Sequence, residues 1–214
     1  MNTHDRPAVA LLAIPVLVTL LASLAGCQSG TYEPVYDLRV TEAVVEDGVP
    51  EEGPGTHEIA IRATWTADSG GFVGSFANPA DTTAAIHWDE ATIAIDGGET
   101  QPLLSAAPHP NPDLPQPPTI IPRRGTMMVG MLSAGHAEWE WFTNRAMGGA
   151  WHPTRALFGI AFDAEQSESD RRDLARTAVG KKIMIELPVR TGSRKLTHIY
   201  DIRVVEADIR ATHN

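Results

Sequence analysis

KIMIELPV, residues 182–189, sets Ile183, Ile185, Leu187 and Val189 on one face of an extended chain. Successive side chains of a strand point to opposite sides, so this alternation reads as a strand with one face in a core. Residues 195–206 repeat it with Leu196, Tyr200, Ile202 and Val204. The same rule extends back along the chain: 157–163 with Phe158, Ile160 and Phe162, then 137–142, 126–133, and 84–95 with Ile86, Trp88, Ile93 and Ile95. Residues 58–66 place Ile59, Ile61, Ala63 and Trp65 together, and 35–45 place Tyr36, Leu38, Val40 and Val44. Between these two, Asp47 to Thr56 holds three glycines, two prolines and three acids, which is a loop by composition.

One helix is expected at 167–179. Ser167 with Asp170 three residues on forms a capping box, Leu174 and Ala178 lie one turn apart, and Gly180 with Lys181 and Lys182 makes a stop. Short strands separated by turn residues predict a mainly β chain, a single antiparallel β-sandwich over 35–210, with the helix as a surface crossover linking two sheets. Asn78-Pro79-Ala80-Asp81, the alternating run to Asp96 and the turn Gly97-Gly98 resemble the immunoglobulin-like domains of many exported bacterial proteins. That resemblance implies a fold and no activity.

The amino-terminal stretch has a different grammar. After Asp5 and Arg6 no charged side chain occurs from Pro7 to Tyr32, and Ala8 to Ala25 is apolar. A polar start, an apolar middle and a small-residue end make a secretory signal over residues 1–26. An uncharged run of 18 residues is also long enough for a membrane span, which Pro15 would weaken. Leu24-Ala25-Gly26-Cys27 resembles the lipobox of bacterial lipoproteins. The resemblance implies cleavage before Cys27, a diacylglycerol on its thiol, and localisation in the bacterial cell envelope. Gln28, not an acid, follows the cysteine; in Gram-negative bacteria this resembles the outer-membrane sorting pattern, and the resemblance implies the periplasmic face of that membrane. Residues 27–34 then serve as the acylated cysteine and a polar tether. Cys27 is the only cysteine, so the domain is held by its core without disulfides.

The chain carries a net charge of −10, and the leader contributes one charge of each sign. An acidic body without a Lys/Arg cluster does not suit phosphate backbones, so nucleic acid is set aside as a partner. It is also repelled by anionic headgroups, which leaves the lipid on Cys27 as the hold on the membrane. No cofactor motif is present in the sequence.

Candidate sites are few. Residues 108–122 contain seven prolines and read as a stiff inter-strand loop, or as a ligand for a groove that reads polyproline helices. Asp68-Ser69-Gly70-Gly71 resembles the nucleophile motif of trypsin-like proteases, but too little chain precedes it for the rest of a triad, and a Gly-rich hairpin turn is the expectation. His136, Glu138 and Glu140 alternate in an expected strand and are the candidates for a metal. Trp139 and Trp141 on the other side would fill a core, leaving the His-Glu-Glu side as wet surface. His198, on the face of Leu196 and Tyr200, reads as a hydrogen-bonded core residue, whereas His57, His87, His109 and His152 are scattered. Asn144, Arg145, Trp151, His152 and Arg155 form the candidate recognition loop, with the competing reading that Trp151 tucks into the core. No acid/base or nucleophile set emerges, so the expectation is a non-catalytic envelope lipoprotein that binds another envelope protein. The alternative is a small-molecule or metal-binding periplasmic protein, or a hydrolase.

Overall fold

The computed structural model describes residues 31–47, 61–68 and 70–212. The leader, Cys27, His57 and Ser69 lie outside the described residues. Residues 32–211 form one compact unit; Thr31 and Thr212 fall in a second, their hydroxyl oxygens 2.7 Å apart. Among the described residues no helix is long and apolar enough to cross a membrane.

The strands are β1 (Thr31–Asp47), β2 (Arg62–Ala67), β3 (Phe72–Ala77), β4 (Ala84–Ile86), β5 (Thr92–Ile95), β6 (Gln101–Ser105), β7 (Thr119–Ile121), β8 (Thr126–Ser133), β9 (Ala137–Trp141), β10 (Gly149–Pro153), β11 (Lys182–Thr191) and β12 (Arg194–Thr212), with helix α1 (Glu168–Arg176) between β10 and β11. The chain is mainly β, but the sandwich expectation is corrected. One continuous sheet runs β12-β1-β2-β3-β8-β6-β5-β11, and β11 pairs with β12 from Lys182↔Arg203 to Thr191↔Arg194. That last pairing joins the two edges and makes an eight-stranded barrel in place of two packed sheets. Closure satisfies every edge of the eight, which an open sandwich leaves to other devices. Beyond Glu186, β11 exchanges β5 for the short strand β4, through Val189↔Ile86, and β7 pairs outside β4.

The alternating residues of β11 and β12 point inward as their pattern requires. Ile183, Ile185, Leu187 and Val189 are fully buried, as are Ile202 and Val204. Trp65 on β2 meets Phe76 on β3 edge-on at 5.4 Å and Tyr200 on β12 at 5.3 Å, so aromatic rings span the interior. Gly74 leaves the space this needs, since a Cβ there would lie 2.5 Å from the Phe76 ring.

The β2–β3 connection is tight: Asp68 Oδ1 accepts from the N–H groups of Gly70 and Gly71, both at 3.2 Å. α1 carries the capping box expected of Ser167 and Asp170. Ala175 and Ala178 are buried, and Leu174 packs beside them on the barrel core. The helix covers a flank of the barrel and links nothing across a sandwich. Residues 157–163 form no strand: Gly159 takes φ 71°, and the segment is irregular although Leu157 and Ile160 are buried. The run 84–95 is likewise broken by a single helical turn, Trp88–Glu90.

The Pro-rich stretch lies against the domain, and its residues 119–121 are β7. Ser105 N–H donates to Gln116 Oε1 at 2.8 Å, Gln116 N–H to Asp89 Oδ1 at 2.9 Å, and Trp88 Nε1 to Thr119 Oγ1 at 2.9 Å.

Candidate functional site

β9 and β10 stand apart from the barrel sheet as their own two-stranded antiparallel ribbon, in register Gly149↔Trp141, Trp151↔Trp139 and His152↔Glu138. Alternation then gives the ribbon two faces. One carries Trp139, Trp141 and Trp151, whose rings meet edge-on, Trp139 at 5.6 Å from Trp141 and 5.4 Å from Trp151. The other carries Glu138, Glu140 and His152, with His152 Nε2 3.7 Å from Glu140 Oε2.

The aromatic face rests on the Pro-rich stretch. His109 and Gly149 exchange main-chain hydrogen bonds of 2.8 and 2.9 Å, and the His109 ring lies edge-on to Trp139 at 6.2 Å. His109 is buried, with Nε2 3.0 Å from the Pro115 carbonyl oxygen and Nδ1 accepting from Asn111 N–H at 3.3 Å. Gly148 makes the junction possible: it sits at φ 84°, and a Cβ there would lie 2.1 Å from the His109 carbonyl oxygen.

This placement corrects the core role expected for the tryptophans. Trp139 and Trp151 are half-buried, and Trp141 is 41% exposed. At the ribbon's turn Met147 is 70% exposed. Of the candidate recognition residues, Asn144 is occupied locally, its Oδ1 accepting from Ala146 N–H at 3.2 Å to cap the turn Arg145–Met147. Arg145 is exposed at that turn, while Arg155 lies past the opposite end of the ribbon. Trp151 belongs to the aromatic cluster and His152 to the acidic face. The sequence reading missed Trp141 and Met147 as surface groups; the available signal was the long run from Trp141 to Phe162, which holds two arginines and no acid in a chain of net charge −10.

His136 does not join Glu138 and Glu140. It closes a single helical turn, Ala134–His136, before β9 begins, and among the described residues no three His, Cys, Asp or Glu side chains gather to hold a metal ion. His136 instead lines a cavity of about 310 Å³ under the β5–β6 turn. Asp96 at φ 52° and Gly97 at φ 75° form that turn, closed by Gly98 N–H donating to the Ile95 carbonyl at 2.9 Å. Ile93, Ile95, Leu157 and Phe158 give the cavity an apolar floor. Lys181 Nζ pairs with Asp96 at 3.3 Å and lies 5.6 Å from the centre of the Phe158 ring. Ser133 Oγ hydrogen-bonds Gln101 Oε1, which also accepts from Gly135 N–H at 3.2 Å.

Comparison with protein-family models, with curated proteins and with solved structures finds no match to this chain. The functional reading therefore rests on the ribbon, the cavity and the amino-terminal sequence.

Proposed function

We propose that the chain is a lipid-anchored protein of the bacterial cell envelope, held through Cys27 at the periplasmic face of the outer membrane. Its barrel acts as a non-catalytic module that binds another envelope protein through the tryptophan ribbon. The observation that carries this reading is the 41% exposure of Trp141 in a cluster whose other members are already packed. Aromatic residues, Met and Arg are enriched at protein interfaces, and a side chain held in place beforehand loses little entropy on binding. Arg145 and Met147 extend the same surface at the turn.

Site-specific photo-crosslinking from position 141 in intact membranes tests it. A discrete partner band that disappears when the probe is moved to position 138, on the acidic face, supports the reading; no band at 141 overturns it. The anchor is tested separately by Cys27→Ser, which should release the protein from membranes and leave the barrel folded, because no disulfide is lost. Mass spectrometry showing residues 1–26 retained and Cys27 unmodified would overturn the lipid anchor.

A second reading, a small-molecule-binding periplasmic protein, is favoured only by the cavity under the β5–β6 turn.

A further inference from the structure

The cavity under the β5–β6 turn is independent of the ribbon, and its lining selects a class of ligand. A binding site for a small molecule combines an apolar body with few polar groups that fix orientation, in a volume from roughly 300 Å³ upward. Here the floor of Ile93, Ile95, Leu157 and Phe158 supplies the first, and about 310 Å³ supplies the room. The polar lining divides by charge. Gln101 and Ser133 bond each other and carry no charge. Lys181 is neutralised by Asp96 at 3.3 Å. Glu99 also lines the cavity and makes no ion pair among the described residues, and His136 adds an imidazole whose Nδ1 is buried without a hydrogen-bond partner among them. One carboxylate is thus left over at the wall, in a chain whose net charge of −10 raises the local concentration of cations and repels anions.

We propose that this cavity binds a small organic cation, a protonated amine on a compact apolar body. Its ammonium sits against the Glu99 carboxylate and its body lies on Ile95 and Phe158, the half-buried apolar groups of the lining. A carboxylate ligand would meet the Glu99 carboxylate with like charge, and a neutral ligand would gain no charge attraction from it.

The test uses the full chain in detergent and three probes of one shape: benzylammonium, benzyl alcohol and benzoate, followed by isothermal titration calorimetry. Saturable binding of benzylammonium is expected. It should be at least tenfold weaker in Glu99→Gln and unchanged in Glu140→Gln, which lies on the ribbon. Glu99 is exposed, so its variant keeps the fold, and matching thermal midpoints verify this. Equal binding of benzoate or benzyl alcohol, affinity indifferent to Glu99→Gln, or no saturable binding of benzylammonium each overturns the proposal. None of these outcomes bears on the crosslinking from position 141, so the two readings fail separately.

Discussion

His198 and Tyr200, two residues apart on β12, stack inside the barrel with ring centroids 6.1 Å apart and planes 18° from parallel, and the Tyr200 hydroxyl lies 3.3 Å from His198 Nδ1. His198 is 1% exposed, and its Nε2 has no hydrogen-bond partner among the described residues. Burial penalises the imidazolium and pulls the pKa from its usual 6.5 down to about 4. In that window the unfolded chain binds a proton that the folded chain refuses. Stability therefore falls as pH drops from 6.5 toward 4 and, for this group, stops falling below the folded value. Every tenfold loss of proton affinity is worth about 1.4 kcal/mol, which brings the full effect to about 3 kcal/mol. Denaturant unfolding at pH 7.5 and at pH 4, on the wild type and on His198→Phe, measures it. The wild type should lose about 2–3 kcal/mol more than the variant; equal losses would show that the imidazole titrates normally.

Asn78 fastens the end of β3 to the end of β7. It is 1% exposed; the two hydrogens of its Nδ2 are shared among the carbonyls of Thr82 at 2.8 Å, Ile121 at 3.3 Å and Pro122 at 3.2 Å, and its Oδ1 accepts from Ala80 N–H at 3.1 Å. Asn78→Leu strips these carbonyls and an N–H of their partner, at a cost of about 3 kcal/mol. Asn78→Asp should cost more, because a carboxylate oxygen then faces carbonyl oxygens. The urea midpoints of both variants check the order. A leucine variant as stable as wild type would mean that water replaces the amide without loss.

How much of this was legible in the sequence depends on the range of the interaction that decides it. β11 and β12 could be read because strict alternation is a local property, and α1 because Ser167 and Asp170 cap it within one turn. β3 escaped because Gly74 and Ser75 interrupt its apolar pattern, and β6 and β7 because prolines sit in or beside them. Barrel closure could not be read at all. It rests on pairings such as Phe72↔Met131 and Ile183↔Ile95, between residues far apart in the chain, whereas alternation is the same in a sandwich and a barrel. The tryptophans were misread for a related reason. Alternation separates Trp139 and Trp141 from Glu138 and Glu140, but which side meets the barrel is set by where the ribbon lies.

Gly148→Ala should detach the ribbon from the Pro-rich stretch. The new methyl group would overlap the His109 carbonyl and approach Pro110 Cα to 2.8 Å, at a φ of 84° that L-residues avoid. The two hydrogen bonds between His109 and Gly149 then break. Hydrogen exchange at the His109 and Gly149 amides should rise by a hundredfold or more while β11 and β12 stay protected. Gly192→Ala is the control: φ is 62° there, but nothing lies within 4 Å of the added Cβ, so about 1 kcal/mol of backbone cost is expected and no loss of the ribbon contact.

The ribbon's tryptophans divide its stability from its proposed recognition. Trp139 touches His109, Trp141 and Trp151, whereas Trp141 touches Trp139 and is the most exposed of the three. Trp139→Ala removes the shared partner of every ring contact in the cluster. Aromatic pairs contribute about 0.5–1.5 kcal/mol each beyond their buried area, so the ribbon should loosen as a unit. Near-UV circular dichroism should collapse, and exchange across 137–153 should accelerate. Trp141→Ala gives up one such pair and leaves Trp139 against Trp151 and His109. Its ribbon should keep its exchange protection to within a few fold, while pull-down of the proposed partner falls by tenfold or more, as expected of an interface anchor. If Trp141→Ala loosens the ribbon as much as Trp139→Ala, then Trp141 serves the packing of the cluster, and its exposure carries no recognition.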